Sequence, residues 1–299
     1  MVDARMPDGS RFNAIIPPLA LDGCLVSIRK FKKYKMPLSS YIAYGSMGPA
    51  MVQFLELAAS MRLNIIISGG TGSGKTTLLN ALSGHIHADE RVITIEDAAE
   101  LQLHQPHVLR LETRPASSEG RAEVTQRALM RNALRMRPDR VILGEMRGDE
   151  VIDVLSAMNT GHDGSMATIH ANNPRDCLAR IENLVAMSGV QVGASSLRYQ
   201  IASAIHLVVQ IQRMRDGVRR ITQIEEILGV EGDRFVTQTL FSYKPSHMGA
   251  DGKLQGEFIV HEVTPACLEQ ADYFGVVEGV KACFPHLVTG APSAGAPTP

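Results

Sequence analysis

The sequence predicts an α/β fold in which a parallel sheet forms the core of a P-loop domain, preceded by part of a small α+β unit. One observation is an apolar run at residues 63–68 that leads directly into the glycine-rich segment GGTGSGKT at 69–76. Apolar residues at helical spacing then alternate with further strand-like runs, which is the pattern that builds parallel sheets. Those β-branched runs lie at 91–96, 141–143, 165–170 and 206–213.

The glycine-rich segment matches the phosphate-binding pattern G-x-x-x-x-G-K-[ST]. Glycine is needed there because the backbone approaches the phosphates closely and adopts positive φ, so that successive N–H groups surround an anion at a helix N-terminus. Lys75 is predicted to reach the β- and γ-phosphates, and the Thr76 hydroxyl to bind Mg²⁺. The alternative is a glycine-rich turn that only caps a strand. The predicted nucleotide-binding residues are Gly69, Gly70, Thr71, Gly72, Ser73, Gly74, Lys75, Thr76 and Thr77.

Composition excludes several classes of protein. A net charge of −1 and a pI near 6.8 argue against wholesale wrapping of nucleic acid, and only 5% of the residues are aromatic, which leaves few platforms for stacking bases. The apolar runs are shorter than the roughly 18 residues that a membrane span needs. The four cysteines form no C-x-x-C pair, so neither a zinc site nor a disulfide framework is predicted, and reduced thiols in the cytosol fit best.

The chain is predicted to divide into three parts. Residues 1–45 are expected to form a partial N-terminal α+β domain and a linker at 37–44, residues 46–288 the P-loop domain, and residues 289–299 a disordered tail without apolar periodicity. The basic run RKFKKYK precedes the P-loop domain. It is either a solvated edge or a source of a phosphate contact, for which Arg29 is the candidate.

Carboxylates follow two of the predicted strands. Glu96, Asp97 and Glu100 stand at the end of the strand after the P-loop helix, and Glu145 ends the apolar strand at 141–143. Ligands of open α/β sheets bind at the carboxyl ends of the strands, so these side chains are candidates for handling water or a metal ion. Glu145 has the position of a Walker B residue that holds Mg²⁺ or polarises its water. The alternative for the first cluster is a solvated loop.

Two basic features accompany the carboxylates. Arg127, Arg131 and Arg135 recur every four residues in a predicted helix within 123–139, and the sequence offers them no acidic partner four residues away. They form either a solvated face or a contact to an anion such as nucleotide phosphate. His170 is expected at the same sheet edge as Lys75 and Glu145, where a histidine can donate to the γ-phosphate rather than serve only the fold.

Four blocks taken in order resemble the ATPases of type II and type IV secretion systems, and most closely the CpaF-type motors of Tad/Flp pilus assembly. The blocks are GGTGSGKTT, TIEDAAELQL, RPDRVILGEMRG and GHDGSMATIHAN. The resemblance implies a RecA-like ATPase domain that uses ATP and Mg²⁺ behind an N-terminal domain, of which this chain carries only part. It also implies a cytoplasmic homo-hexameric ring, peripheral to the inner membrane, that acts on membrane platform proteins.

The resemblance also assigns roles to particular residues. Glu100 matches the family's catalytic glutamate, Glu145 the Walker B glutamate and His170 the histidine of the His box. The arginines that contact phosphate in the family would be found among Arg110, Arg114, Arg131 and Arg135.

Two other functions are compatible with a P-loop domain. A RecA-like nucleic-acid translocase would be stimulated by DNA and would carry a basic channel, which the charge and the few aromatics disfavour. A nucleotide-gated regulator would bind nucleotide with little turnover. The guanine-specificity motif N-K-x-D is absent from the sequence, which argues against a GTPase.

Overall fold

The structure, a computed structural model, describes residues 1–30, 36–103, 105–116, 122–250 and 252–288. The predicted disordered tail, 289–299, lies outside the described residues. The chain divides into two compact units, Met1–Lys35 and a second unit that begins at Met36. Each unit is described separately below.

The first unit contains a three-stranded antiparallel sheet in the order β1-β2-β3. Its strands are β1 (Val2–Arg5), β2 (Arg11–Ile15) and β3 (Leu25–Arg29). The turn between the first two strands is closed by Asp8, whose carboxylate accepts from the Ser10 N–H at 2.9 Å, and by Gly9 at φ 88°. The described part of this unit contains strands but no helix.

The second unit is built around a nine-stranded sheet in the described residues. Its strands are β4 (Ile65–Ser68), β5 (Val92–Glu96), β6 (Val108–Glu112), β7 (Arg140–Leu143), β8 (Met166–Ile169), β9 (Leu207–Arg213), β10 (Arg219–Glu231), β11 (Arg234–Met248) and β12 (Leu254–Val260). Its helices are α1 (Ser40–Ala43), α2 (Pro49–Ser60), α3 (Lys75–Ser83), α4 (Gln126–Ala133), α5 (Val151–Asn159), α6 (Pro174–Met187), α7 (Ala194–Ala204), α8 (Leu268–Tyr273), α9 (Val277–Ala282) and α10 (Pro285–Val288).

The strand order is β12-β11-β10-β9-β4-β8-β7-β5-β6. The six strands from β9 to β6 in this order run parallel, and β10, β11 and β12 add an antiparallel extension. The predicted α/β fold with a parallel core is therefore confirmed. Strand β7, which precedes Glu145, does not adjoin β4, because β8 lies between them.

Apolar side chains bury both faces of the sheet, in two separate clusters. On one face, α2 and α3 pack over an aromatic group in which the Phe54 ring centroid lies 5.3 Å from Phe241 and 5.8 Å from Phe284. On the other face, α5, α6 and α7 supply residues such as Leu155, Ile181 and Ile201. Burial of these large side chains is the main stabilising contribution, and it leaves the strand ends free to carry polar groups.

Residues 37–44, predicted as a linker, belong to the packed part of the second unit. They contain α1, and Leu38 and Tyr41 are 1% and 4% exposed within the same core cluster as α2. Burial raises the pKa of the Tyr41 hydroxyl strongly, and the nearby charge of Arg219 offsets this only in part. No helix among the described residues has the length and apolar character that crossing a membrane requires.

Candidate nucleotide-binding site

The glycine-rich segment forms a loop between β4 and α3. At three of its positions the structure shows why the residue is glycine. Gly72 and Gly74 adopt φ of 69° and 102°, a region that side chains disfavour. A Cβ on Gly69 would lie 2.3 Å from the Ile211 carbonyl oxygen, so the loop passes directly against β9. Helix α3 then begins at Lys75 with Gly74 as its N-cap. The loop's N–H groups therefore lie at a helix N-terminus, where anions bind.

Lys75 is 8% exposed, and its ammonium group lies within the loop. Its Nζ donates to the carbonyl oxygens of Gly69 at 2.9 Å and Gly70 at 3.1 Å. Burial lowers the pKa of Lys75, the Glu145 charge raises it and the Arg147 charge lowers it, with a net decrease. A phosphate placed in the loop would supply the negative charge that this buried ammonium needs.

His170 lies between Lys75 and Glu145, directly after the inserted strand β8. Its Nε2 is 3.4 Å from Lys75 Nζ and 2.6 Å from Glu145 Oε1. Burial and the Lys75 charge lower the pKa of His170 more than Glu145 raises it, so the ring is neutral at pH 7. The contact with Glu145 is a close approach and not a hydrogen bond, since the buried Glu145 Oε1 has no hydrogen-bond partner among the described residues. These three side chains, from the start of α3 and from the segments after β7 and β8, thus form one chain of contacts.

The second carboxylate oxygen of Glu145 is held by Arg147. The Nε of Arg147 donates to Glu145 Oε2 at 2.7 Å, and its Nη2 contacts the same oxygen. The Nη1 of Arg147 also lies 3.5 Å from Asp97 Oδ2. Partial burial lowers the pKa of Arg147, but Glu145, Asp97 and Glu100 together raise it above its ordinary value. Arg147 therefore connects the carboxylates that follow β5 with the one that follows β7.

The three carboxylates after β5 have different environments. Glu96 is buried, and its Oε1 accepts from the N–H groups of Glu100 at 2.8 Å and Leu101 at 2.9 Å. Its Oε2 has no hydrogen-bond partner among the described residues, and burial raises the pKa of this carboxyl group. Asp97 and Glu100 are exposed. Glu96 thus shapes the turn that presents the other two.

The predicted row of arginines is shorter than the sequence suggested, and two of its members have acidic partners. Arg127 contacts Asp149 at 2.8 Å and Asp153 at 2.9 Å, and Arg131 contacts Asp153 at 3.1 Å. Asp153 lies in the first turn of α5 and Asp149 just before that helix. The sequence analysis considered only partners four residues away in the same helix, so it did not include these two. Helix α4 ends at Ala133, and Arg135 lies in the 3₁₀ turn Leu134–Met136. The prediction of one continuous helical row is therefore wrong.

The remaining predicted arginines have different surroundings. Arg110 donates to the Ala99 carbonyl at 3.4 Å and acts electrostatically on Glu96. Arg114 donates to the Ala122 carbonyl at 3.1 Å. Arg135 is exposed. Arg29 ends β3 in the first unit and is exposed. Of these four, Arg110 is the one that the structure brings to the carboxylate cluster.

Sequence reasoning missed two arginines at the loop. Arg147 follows Glu145 by two residues in the motif GEMRG, and this short spacing could have indicated that the two side chains are in contact. Arg219 begins β10, and its Nε donates to the Gly72 carbonyl at 2.9 Å. Its Cδ lies 3.0 Å from where a Cβ on Gly74 would stand. No local pattern indicates this contact, because it depends on how the β9–β10 hairpin folds over the loop.

The residues present fit a nucleotide with Mg²⁺. The Thr76 hydroxyl and the Glu145 carboxylate are hard oxygen donors, and the buried Ser73 Oγ has no hydrogen-bond partner among the described residues. Within the same part of the chain, no group of three or more His, Cys, Asp or Glu residues is arranged to hold a metal ion alone. Mg²⁺ keeps waters and binds through one or two protein oxygens and substrate phosphates, a role that the Thr76 and Glu145 oxygens fit.

A parallel sheet that ends in this loop, with a buried lysine and a carboxylate two strands away, defines a RecA-like P-loop nucleotide-binding protein. The comparison with protein families narrows this class. The family model described as type II/IV secretion system protein matches residues 1–273, and the chain belongs to that family.

Several relatives carry names from conjugation and secretion. The TrbB conjugal transfer protein of Rhizobium radiobacter is 35% identical over 242 residues, covering 80% of this chain and 71% of the relative. The type IV secretion system protein PtlH of Bordetella pertussis is 37% identical over 248 residues, covering 74% and 72%. A Mycobacterium tuberculosis relative, provisionally named as a conjugal transfer protein, is 43% identical over 222 residues. That match covers 74% of this chain and 62% of the relative's length.

Solved structures agree with the fold. The VirB11 ATPase of the Brucella suis type IV secretion system, solved with sulphate, is 29% identical with a TM-score of 0.53 and covers 75% of both chains. The pilus retraction motor PilT, solved with ADP, has a TM-score of 0.55, covering 95% of this chain and 70% of PilT. At 19% identity, that second likeness supports the fold alone.

Proposed function

We propose that this chain hydrolyses ATP with Mg²⁺ and serves as the motor subunit of a pilus-assembly or type IV secretion machine. The observation that carries the proposal is the contact chain from Lys75 through His170 to Glu145. It joins a phosphate-binding lysine, a neutral histidine and a carboxylate at the carboxyl ends of neighbouring strands. Family membership and the VirB11 likeness support the motor assignment.

Each residue has a proposed role in the reaction. Lys75 supplies charge to the β- and γ-phosphates, the loop N–H groups bind their oxygens, and Thr76 and Glu145 hold Mg²⁺, which neutralises phosphate charge when bound. Glu100 is exposed beside the site and orients the attacking water. His170, whose Nε2 lies 2.6 Å from Glu145 Oε1, donates to a γ-phosphate oxygen.

The proposal extends to assembly and partners. The chain acts as a homo-hexameric ring of the CpaF-type Tad/Flp kind, in the cytoplasm at the inner membrane, where it engages platform proteins of the machine. Arginines from one subunit complete the site of the next, and Arg131 and Arg135 are the candidates because 59% of the Arg131 side chain stays exposed despite its ion pair, and Arg135 is exposed.

The test compares variants of the two central residues. Lys75→Ala should weaken ATP binding and abolish turnover, whereas Glu145→Gln should bind ATP and lose turnover by about 100-fold or more. Lys281→Ala is the matched control, because this lysine pairs with Glu278 on the surface and should change neither quantity. Wild-type binding without Mg²⁺-dependent turnover would point instead to a nucleotide-gated regulator. Stimulation of turnover by DNA would point to a nucleic-acid translocase.

A further inference from the structure

We propose that Arg147 is a positioning residue that competes with Mg²⁺ for the Glu145 carboxylate and transfers to Asp97 when the metal ion binds. The inference rests on the proposed function, since it concerns the metal requirement of the same site. It assigns a role to an arginine that lies outside the phosphate-binding loop.

The competition follows from the contacts of Glu145. One carboxylate oxygen is 2.6 Å from His170 Nε2, and the other accepts from Arg147 at 2.7 Å. Arg147 therefore engages one oxygen of this candidate metal ligand, while the other, which lies close to His170, has no hydrogen-bond partner among the described residues. Arg147 directs both Nε and Nη2 at Oε2, which uses both lone pairs of this oxygen, so one of these contacts has to be released before the oxygen can bind a cation or a cation-bound water. Arg147 is therefore the guanidinium that competes with a metal ion for the carboxylate.

Arg147 is able to leave because it has a second acceptor within reach. Asp97 Oδ2 already lies 3.5 Å from Nη1, and the charge of Glu100 also acts on the guanidinium. The Arg147 side chain is 62% exposed, so a change of rotamer meets little packing resistance. Asp97 is itself 45% exposed and accepts from the Thr113 hydroxyl at 3.3 Å, which leaves its other oxygen for Arg147.

The test measures the affinity for a fluorescent ADP analogue with saturating Mg²⁺ and again with EDTA, by titration. The ratio of the two affinities reports the coupling between metal and nucleotide. Arg147→Gln removes the competitor, so this ratio should rise about two- to fivefold, as expected for one partly exposed charge pair. Asp97→Asn removes the second acceptor and should lower the ratio by a similar factor. Opposite shifts from two neighbouring substitutions are not expected of a merely structural pair.

Arg180→Gln is the matched control. Arg180 is exposed and its charge reaches His170, but it makes no ion pair among the described residues, so the ratio should not change. In a Glu145→Gln background, Arg147→Gln should have no further effect on the ratio, because the group for which the two cations compete is gone. Thermal unfolding of each variant checks that the fold is retained.

Three results would overturn the inference. A direct phosphate contact by Arg147 would weaken binding equally with Mg²⁺ and with EDTA, leaving the ratio unchanged in Arg147→Gln. A shift of the same sign in Arg147→Gln and Asp97→Asn would exclude transfer between the two carboxylates. A wild-type chain that binds the analogue in neither condition would remove the proposed function, and this inference with it. The first two results would leave that function standing.

Discussion

Glu90 and Arg140 form a two-point ion pair inside the second unit, with Arg140 Nε 2.7 Å from Glu90 Oε2 and Nη2 2.8 Å from Oε1. Arg140 is fully buried at the start of β7 and also donates to the Ala59 carbonyl at 2.7 Å. Burial raises the pKa of Glu90, but Arg140 and Arg62 outweigh it, so the pKa lies below its ordinary value. A buried guanidinium without its carboxylate is strongly unfavourable.

We therefore expect Glu90→Gln to lower the free energy of unfolding by about 3 kcal/mol at pH 7, measured by urea denaturation. Because the folded pKa of Glu90 is depressed, its contribution is complete above the unfolded pKa and is lost as the pH falls through the folded value. The difference between wild type and variant should vanish over that acid range. Glu182→Gln breaks the more exposed pair with Arg198 and should cost under about 1 kcal/mol. A difference that persists unchanged into acid would contradict this account.

The carboxylates after β5 should separate into one structural and one functional residue. Glu100→Gln is expected to reduce kcat at saturating ATP without changing stability, since the side chain is exposed. Glu96→Ala should lower the free energy of unfolding by about 1 to 3 kcal/mol, because two backbone N–H groups lose their acceptor. Turnover assays and denaturation curves on both variants decide the matter. Normal turnover in Glu100→Gln would assign the water-orienting role elsewhere.

Two adjacent glycines in the loop offer a matched comparison. A methyl group on Gly69 would meet the Ile211 backbone at 2.3 Å, whereas one on Gly70 meets nothing within 4 Å. Gly69→Ala should therefore lower the free energy of unfolding by about 1 to 3 kcal/mol. Gly70→Ala should stay within about 0.5 kcal/mol of wild type. Equal stability of the two variants, measured by thermal denaturation, would mean that the loop does not pass against β9 as described.

Because the proposed arginines act between subunits, the specific ATPase activity should depend on the protein concentration. Specific activity is expected to fall on dilution, and Arg135→Ala to lower kcat by about 1,000-fold, the scale of an arginine acting in trans. Mixing with Lys75→Ala subunits, whose arginines are intact, should restore part of this activity. Arg131→Ala should also release Asp153, so its loss is expected to combine a smaller kcat with reduced stability. Constant specific activity across dilution, with no rescue on mixing, would leave both arginines as solvent-facing charges.

The parts of the site that sequence predicted are those whose chemistry is local. The loop from Gly69 to Thr76 could be predicted because its glycines, its lysine and the strand and helix on either side are consecutive in the chain. Glu145 and His170 could be predicted because each follows an apolar run, and the ends of parallel strands meet at one edge of the sheet. The helix carrying Arg127 and Arg131 was predicted too long, because the 3₁₀ turn Leu134–Met136 contains no glycine or proline to mark it, and Pro138 follows only after Arg137.

By itself, the sequence determined that this chain has a parallel α/β core with a phosphate-binding loop, and that two carboxylates and a histidine lie at the loop's edge of the sheet. Only the tertiary structure decided that β8 enters between β4 and β7, which places His170 between Lys75 and Glu145. It alone also placed Arg219 on the loop and paired Arg127 with α5. The physical reason is the separation along the chain over which each kind of interaction acts. Backbone conformation and apolar periodicity act over a few residues, whereas strand order and ion pairs depend on segments that meet only when the core is packed.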